Sequence, residues 1–333
     1  MPKPPRPTAN PRERSATPVQ VWFVVLPGTL LLDLAGPAEA FRLANQQRQR
    51  QGWPPLFALH YVGPQQASTS SVGLSLAALA PLPPELPSPS WVLLLGRPGE
   101  ALDVVRATPP WLTTRQWLGE VVAPALLAAN TPQRLMTVCT GALLAADAGL
   151  VGRRQITTHH ELLDELARMA PAAQVLGNRV FVQDGPLWSS AGITAGIDLA
   201  LHCVAQVGGE ALAAAVAQVM VVFHRRAGEA PERSPLLACR SHLHPAVHKV
   251  QNAVHAAPAQ AWPLAALAQV AHVTPRHLGR LFQQHAGLSP RDYVAQVRAA
   301  LVEEGLAAGL PLSAALAQAG LNSARAWRRA QGA

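Results

Sequence analysis

The sequence predicts an N-terminal α/β domain, a mostly parallel sheet sandwiched by helices, followed by an all-α C-terminal domain of paired helices. Three observations predict it. From residue 19 to about 226, short apolar runs alternate with helical stretches, a pattern that lays parallel strands side by side and covers both faces with helices. From about residue 246 to 333 every periodic stretch is helical, with no strand-like run. Between them, 227–245 carries Pro, Arg and His with little periodicity and reads as a linker.

The elements follow in order. Residues 1–18 (MPKPPRPTANPRERSATP) are Pro-rich and basic and read as a disordered tail. The runs 21–26 (VWFVVL), 56–62, 91–95 (WVLLL) and 134–138 read as buried strands, with helices expected at 38–44 and 111–129. Strands at 155–158, 179–183 and 187–190 follow, with a helix near 161–169 and two Ala-rich helices at 194–207 and 210–223. The last of these is too short and too polar at Gln218 to cross a bilayer.

Composition narrows the function classes. Of 333 residues, 49% are hydrophobic and 14% charged, enough apolar material for real cores. Three cysteines far apart in sequence make neither a disulfide framework nor a metal knuckle. No signal-peptide core is visible, so a cytoplasmic protein with no membrane contact is expected. The net charge of +8 suits a polyanionic partner. In 247–333 eight basic residues face three acidic ones, so the excess reaches the helical end.

That end contains two similar pieces. In the first, WPLAALAQVAHVTPRHLGRLFQQHAG, Pro263 is placed to open a helix, with Leu264, Leu267, Ala268 and Ala271 at apolar spacing. His272-Val273 makes the break, Thr274-Pro275 starts a second helix, and Gly287 closes it. Leu278, Leu281 and Phe282 face inward, while Arg276 and Arg280 share the outer face. Such a helix suits the major groove, where Arg pairs bidentately with guanine. Ser289-Pro290 starts a connecting helix. In the second piece, LPLSAALAQAGLNSARAWRRAQGA, Ser313 and Ser323 are the expected caps, Gly320 makes the turn, and Arg325 and Arg329 sit four apart. A plain helical bundle with solvated arginines is the competing reading.

LAALAQVAHVTPRHLGRLFQQHAGLSPRDYVAQVR resembles the first helix-turn-helix of AraC/XylS regulators, echoed weakly by LAQAGLNS. The resemblance implies a double helix-turn-helix domain binding operator DNA. Base contacts would come from Arg276, Arg280 and Arg329, more weakly from Arg325, with His277 and Arg328 as further DNA-binding residues. Gly279 inside the first reading helix departs from a good helix former, and Leu321 stands where an aromatic is usual. The second unit looks truncated at Ala333, so recognition is expected to lean on the first.

The stretch RLMTVCTGALLAADAGLVGRRQITTHHE turns a strand sharply into a helix at Cys139, a nucleophile-elbow arrangement. The helix N-terminus is expected to favour thiolate. With PGTLLLDLAGPAEAF and SSAGITAGIDLALH, the stretch resembles the PfpI/class I glutamine-amidotransferase-like superfamily, which implies a flavodoxin-like sheet. Together with SPLL-x-CRSHLHP, the whole order resembles GlxA-like regulators. Hydrolases of this superfamily place His after the cysteine; Thr140 stands there. Isocyanide hydratases use an Asp–Cys–Thr set, and that resemblance offers Asp33, Cys139 and Thr140 as catalytic candidates.

The principal expectation is a transcription regulator, not an enzyme. A small-molecule effector would bind near Asp33, Gly96, Cys139 and Thr140. No cofactor and no metal are expected; RNA polymerase and a second copy are the expected partners. The alternative is a cysteine-dependent hydrolase or hydratase using Cys139, and the bland reading makes Asp33 a helix cap, Cys139 a tight-turn residue and Thr140 a backbone partner. His159 and His160, taken as strand neighbours, should point to opposite faces, and His242, His244 and His248 read as solvated linker residues.

Overall fold

The computed structural model describes residues 17–98, 102–127, 131–222, 225–230, 232, 239, 240, 242–307 and 309–331. The chain divides into two compact units, 1–232 and 233–333. The expected tail up to residue 16, Phe223, Ala333 and much of the expected linker lie outside the described residues.

Unit 1 begins with β1 (Val19–Val24), α1 (Leu31–Arg50), β2 (Phe57–Gly63), β3 (Ser68–Thr69), β4 (Ser75–Leu76), β5 (Ala80–Pro81) and β6 (Ser90–Leu94). Next come α2 (Leu102–Arg106), α3 (Pro109–Trp117), α4 (Ala123–Leu127), β7 (Arg134–Val138), α5 (Gly141–Asp147), β8 (Gln155–Ile156) and α6 (Leu163–Met169). It ends with β9 (Gln174–Val175), β10 (Phe181–Asp184), β11 (Leu187–Ser190), α7 (Thr194–Gly208) and α8 (Glu210–Val219). The seven-stranded sheet runs β10-β11-β7-β6-β1-β2-β5. Every neighbouring pair is parallel except β10 with β11. Taking β1, β2, β6, β7 and β11 as the successive main strands, their order is that of a flavodoxin-like sheet.

The strands read as continuous apolar runs because both faces are covered. In β6 all five residues are buried. Trp91 and Leu93 join Phe23, Phe41 and Phe57 on one face, while Val92 and Leu94 join Val24, Leu135 and Leu144 on the other. The helix expected at 111–129 is interrupted. A π-helical turn at Leu118–Val122 separates α3 from α4, with Leu118 and Val122 buried, a register shift that tertiary packing imposes and periodicity does not announce. The strand expected at 155–158 stops at Ile156. There Thr157 N–H turns to Ser189 Oγ and the Thr158 hydroxyl to Cys139 C=O.

Unit 2 is wholly helical among its described residues. Its helices are Pro245–Ala256, Leu264–Val270, Pro275–Ala286, Pro290–Ala307, Leu312–Gln318 and Ala324–Gln331. The first apolar cluster gathers Val247, Leu267, Leu278, Phe282, Tyr293 and Val297; a second gathers Val302, Ala315, Leu316 and Ala319. The long helix Pro290–Ala307 thus contributes to both, opened by Ser289, whose hydroxyl accepts from Asp292 N–H and donates to the Asp292 carboxylate. Leu264, expected inward, is 45% exposed. Ser313 lies within its helix rather than capping it, and Pro311 takes the cap position.

Candidate functional site: an acidic elbow and a pair of reading helices

Asp33, Gly96 and Cys139 come from three different segments, each following the C-terminal end of a main strand. Asp33 lies in the first turn of α1 after β1, Gly96 follows β6 and Cys139 follows β7. The strand order reverses between β1 and β6, and the crevice at such a switch point is where open α/β sheets receive ligands. Cys139 sits at φ 54°, in the left-handed region that L side chains avoid. A Cβ at Gly96 would lie 2.5 Å from Asp33 Oδ2 and 2.7 Å from Cys139 Cβ. Only a bare backbone lets the three segments close.

Asp33 is fully buried. Its Oδ2 accepts from Gly96 N–H at 3.1 Å, and its Oδ1 from Ile193 N–H at 3.1 Å. Burial lifts its carboxyl to about 6 despite these two donors. The Cys139 thiol is pushed up to about 12, first by burial and then by the Asp33 carboxylate, with Glu232 and Glu161 adding to it. The expectation of a thiolate is therefore corrected. The Thr140 N–H lowers the value but is outweighed by burial and three carboxylates. Thr140 turns its hydroxyl away to the backbone of Arg97, accepting from N–H at 2.6 Å and donating to C=O at 3.1 Å.

Two hollows flank this elbow. One, of about 130 Å³, is lined by Thr140, Arg97, Trp111 and Leu144 among others. The other is an apolar depression of about 330 Å³ lined by Leu30, Leu32, Ser71, Val72 and Ile193. The sequence reading found Asp33 and Cys139 but missed Ile193, whose φ of 39° holds its N–H on Asp33. The run SSAGIT was the only signal, a glycine where the chain must turn.

The two adjacent histidines also differ from expectation. Because the strand ends at Ile156, His159 and His160 leave the alternating pleat and their ring centroids lie 4.2 Å apart. Their nitrogens and a Glu232 oxygen all lie within 4.8 Å of one another. In unit 2, His242 packs against His248 at 4.4 Å and His244 against His285 at 4.6 Å. These are half-buried residues in mutual contact rather than solvated ones. Burial and the neighbouring imidazoles lower the pKa of His242 and His244.

In unit 2 both helix pairs turn alike. Ahead of the first reading helix, His272 N–H reaches Gln269 C=O and Val273 N–H reaches Ala268 C=O. In the second pair, Gly320 and Leu321 make the same bonds to Ala317 and Leu316. His272 and Gly320 take φ 54° and 67° at matching places. A Cβ at Gly320 would lie 2.5 Å from the Ala259 backbone, so glycine is required there. Thr274 Oγ1 caps Pro275–Ala286 by accepting from His277 N–H at 3.3 Å, and Gly287 closes it in the left-handed region. Arg276 and Arg280 are exposed, and Arg280 Nη2 lies 3.0 Å from His277 Nδ1. Ser323 caps Ala324–Gln331 through Ala326 N–H, and Arg325, Arg328 and Arg329 are exposed.

Gly279 has open space where a Cβ would stand. Gly279→Ala is therefore expected to stabilise unit 2 by about 0.5–1 kcal/mol through helix propensity. Thermal unfolding checks it; no rise in Tm would mean the reading helix is already fixed by its packing.

An α/β domain with its elbow at the switch point, joined to two arginine-faced helix-turn-helix units, defines a DNA-binding transcription regulator. The family models agree: residues 267–331 match a helix-turn-helix domain and 118–206 match the DJ-1/PfpI family. The transcriptional regulator GbdR of Pseudomonas aeruginosa is 26% identical over 293 residues, 88% of this chain and 74% of that protein. The regulator GlxA of Rhizobium meliloti is 27% identical, over 84% of this chain and 81% of its own length. Isonitrile hydratase of Pseudomonas putida is 28% identical, but over 57% of this chain and 73% of its own length. The chain thus carries a helix-turn-helix segment and a DJ-1/PfpI segment, and is similar over most of its length to helix-turn-helix transcriptional regulators. Among the described residues no helix is long and apolar enough to cross a membrane.

Proposed function

We propose that this regulator is switched by a small metabolite bound at the elbow of unit 1 and reads operator DNA with unit 2. The observation that carries the first half is the Asp33 carboxyl, buried beside Gly96 and Cys139 at the sheet's switch point. A buried carboxyl so close to ionising at neutral pH suits recognition of a polar ligand group. Leu30 and Ile193, which line the apolar depression, adjoin it. Cys139 and Thr140 complete the binding residues. The operator is read by Arg276, His277 and Arg280, with Arg325, Arg328 and Arg329 from the second unit. The regulator works in the cytoplasm as a homodimer, which raises affinity for paired half-sites by effective concentration, and it acts on RNA polymerase. The effector shifts the DNA-binding population by its differential affinity for the two states.

Turnover is the second reading, favoured by the Asp33–Cys139–Thr140 set. Against it stand the enclosed thiol, pushed up to about 12, and the Thr140 hydroxyl committed to the Arg97 backbone. The test is Cys139→Ser in the full chain, assayed for specific DNA binding and for formamide production from a simple alkyl isocyanide. The wild type is expected to yield no formamide, and Cys139→Ser to retain DNA binding. Formamide production that disappears in Cys139→Ser would establish the enzyme instead.

A further inference from the structure

We propose that His159, His160 and Glu232 form a binding site for a divalent transition-metal ion of the zinc class. Two imidazoles and one carboxylate are a nitrogen-rich donor set of the kind zinc accepts, with a position left for water or an effector atom. The three donor atoms already lie within 4.8 Å of one another. A tetrahedral zinc site needs separations of about 3.3 Å, set by bonds of about 2.0–2.1 Å. His160 Nδ1 is 3.0 Å from Glu232 Oε1, so the remaining closure falls to the His159 ring.

The carboxylate itself points to a cation as its partner. The Glu232 side chain is only 10% exposed, and its Oε2 is buried with no hydrogen-bond partner. An orphaned carboxylate oxygen in such a place is costly, and a metal ion would satisfy it. The rings of His159 and His160 lie 4.2 Å apart beside it, so both nitrogen donors stand at the same place as the carboxylate.

The site has a place in the regulator's logic. Thr158, next to His159, is tied to Cys139 C=O, and Glu232 ends unit 1. A bound dication would join the elbow to the segment leaving the domain.

The experiment uses the full chain, stripped with chelator and titrated with Zn²⁺, and separately with Co²⁺ as a spectroscopic probe. One equivalent is expected to bind, with a tetrahedral Co²⁺ spectrum lacking an intense thiolate charge-transfer band. Glu232→Gln, which keeps the side chain's shape, and the pair His159→Ala with His160→Ala should each weaken binding by at least about tenfold. The pair His242→Ala with His248→Ala should leave it unchanged. Negligible binding by the wild type overturns the proposal. So does wild-type affinity in the His159/His160 variant, loss confined to the His242/His248 variant, or a thiolate band. Should a variant fail to fold, the wild-type stoichiometry and Co²⁺ spectrum decide.

Discussion

Replacing Arg276 and Arg280 together by Ala is expected to abolish discrimination between operator and random DNA. Each bidentate contact to a base edge contributes about 1–3 kcal/mol of discrimination, so the pair removes about 2–6 kcal/mol. The structure makes this the larger loss. Both arginines stand exposed on a twelve-residue helix capped at both ends, with Arg280 Nη2 3.0 Å from His277 Nδ1. The corresponding change at Arg325 and Arg329, on an eight-residue helix, is expected to cost less. Titration of operator and random DNA at one fixed salt concentration measures both, since affinity at unmatched salt compares nothing. A double Arg276→Ala/Arg280→Ala chain that still prefers its operator would move base reading to the second unit. Unchanged affinity for both DNAs would remove this helix from the interface altogether.

The destabilisation by Asp33→Asn is expected to close or invert between pH 4 and pH 7. Asp33 gives up its proton near 3.8 in the unfolded chain and at about 6 in the folded one. Between those values the folded state holds more proton, so wild-type stability falls as pH rises through the window. Below it both states are protonated and above it both are ionised, so this contribution is flat outside. The difference amounts to about 3 kcal/mol at 1.36 kcal/mol per pH unit. The Asp33→Asn chain lacks that slope. It keeps one acceptor where Asp33 serves both Gly96 and Ile193 N–H, so one buried donor is orphaned at a cost of about 1–3 kcal/mol. Near pH 4 it should therefore be the less stable chain, and above pH 6 the gap should close or invert. Urea unfolding of both chains across this range checks it; parallel curves would show that Asp33 ionises without penalty in the fold.

Much of unit 2 was legible because its determinants are local. Thr274 caps its helix through an N–H three residues away, Gly287 ends it, and the leucines behind Arg276 and Arg280 follow from helical period alone. The same local logic misplaced Ser313. It also left Leu264 inward, because a single exposed turn at a helix start obeys its neighbours rather than its period.

The elbow was legible only as a set of residue types. The mostly parallel sheet and the turn at Cys139 follow from alternating apolar runs and a strand–helix junction, while the flavodoxin-like order of the strands was implied only by the resemblance. The state of the thiol does not follow, because it depends on carboxylates brought in from distant segments. Ile193 donates to Asp33 across 160 residues of sequence, and Glu232 meets His160 across 72. By itself, then, the sequence determined the two folds, the elbow and the arginine-faced helix, since caps, periods and turn residues act within a few positions. Only the tertiary structure decided that the elbow is acidic and closed, and that two adjacent histidines share one site. Those outcomes rest on burial and on charges whose distances no local pattern encodes.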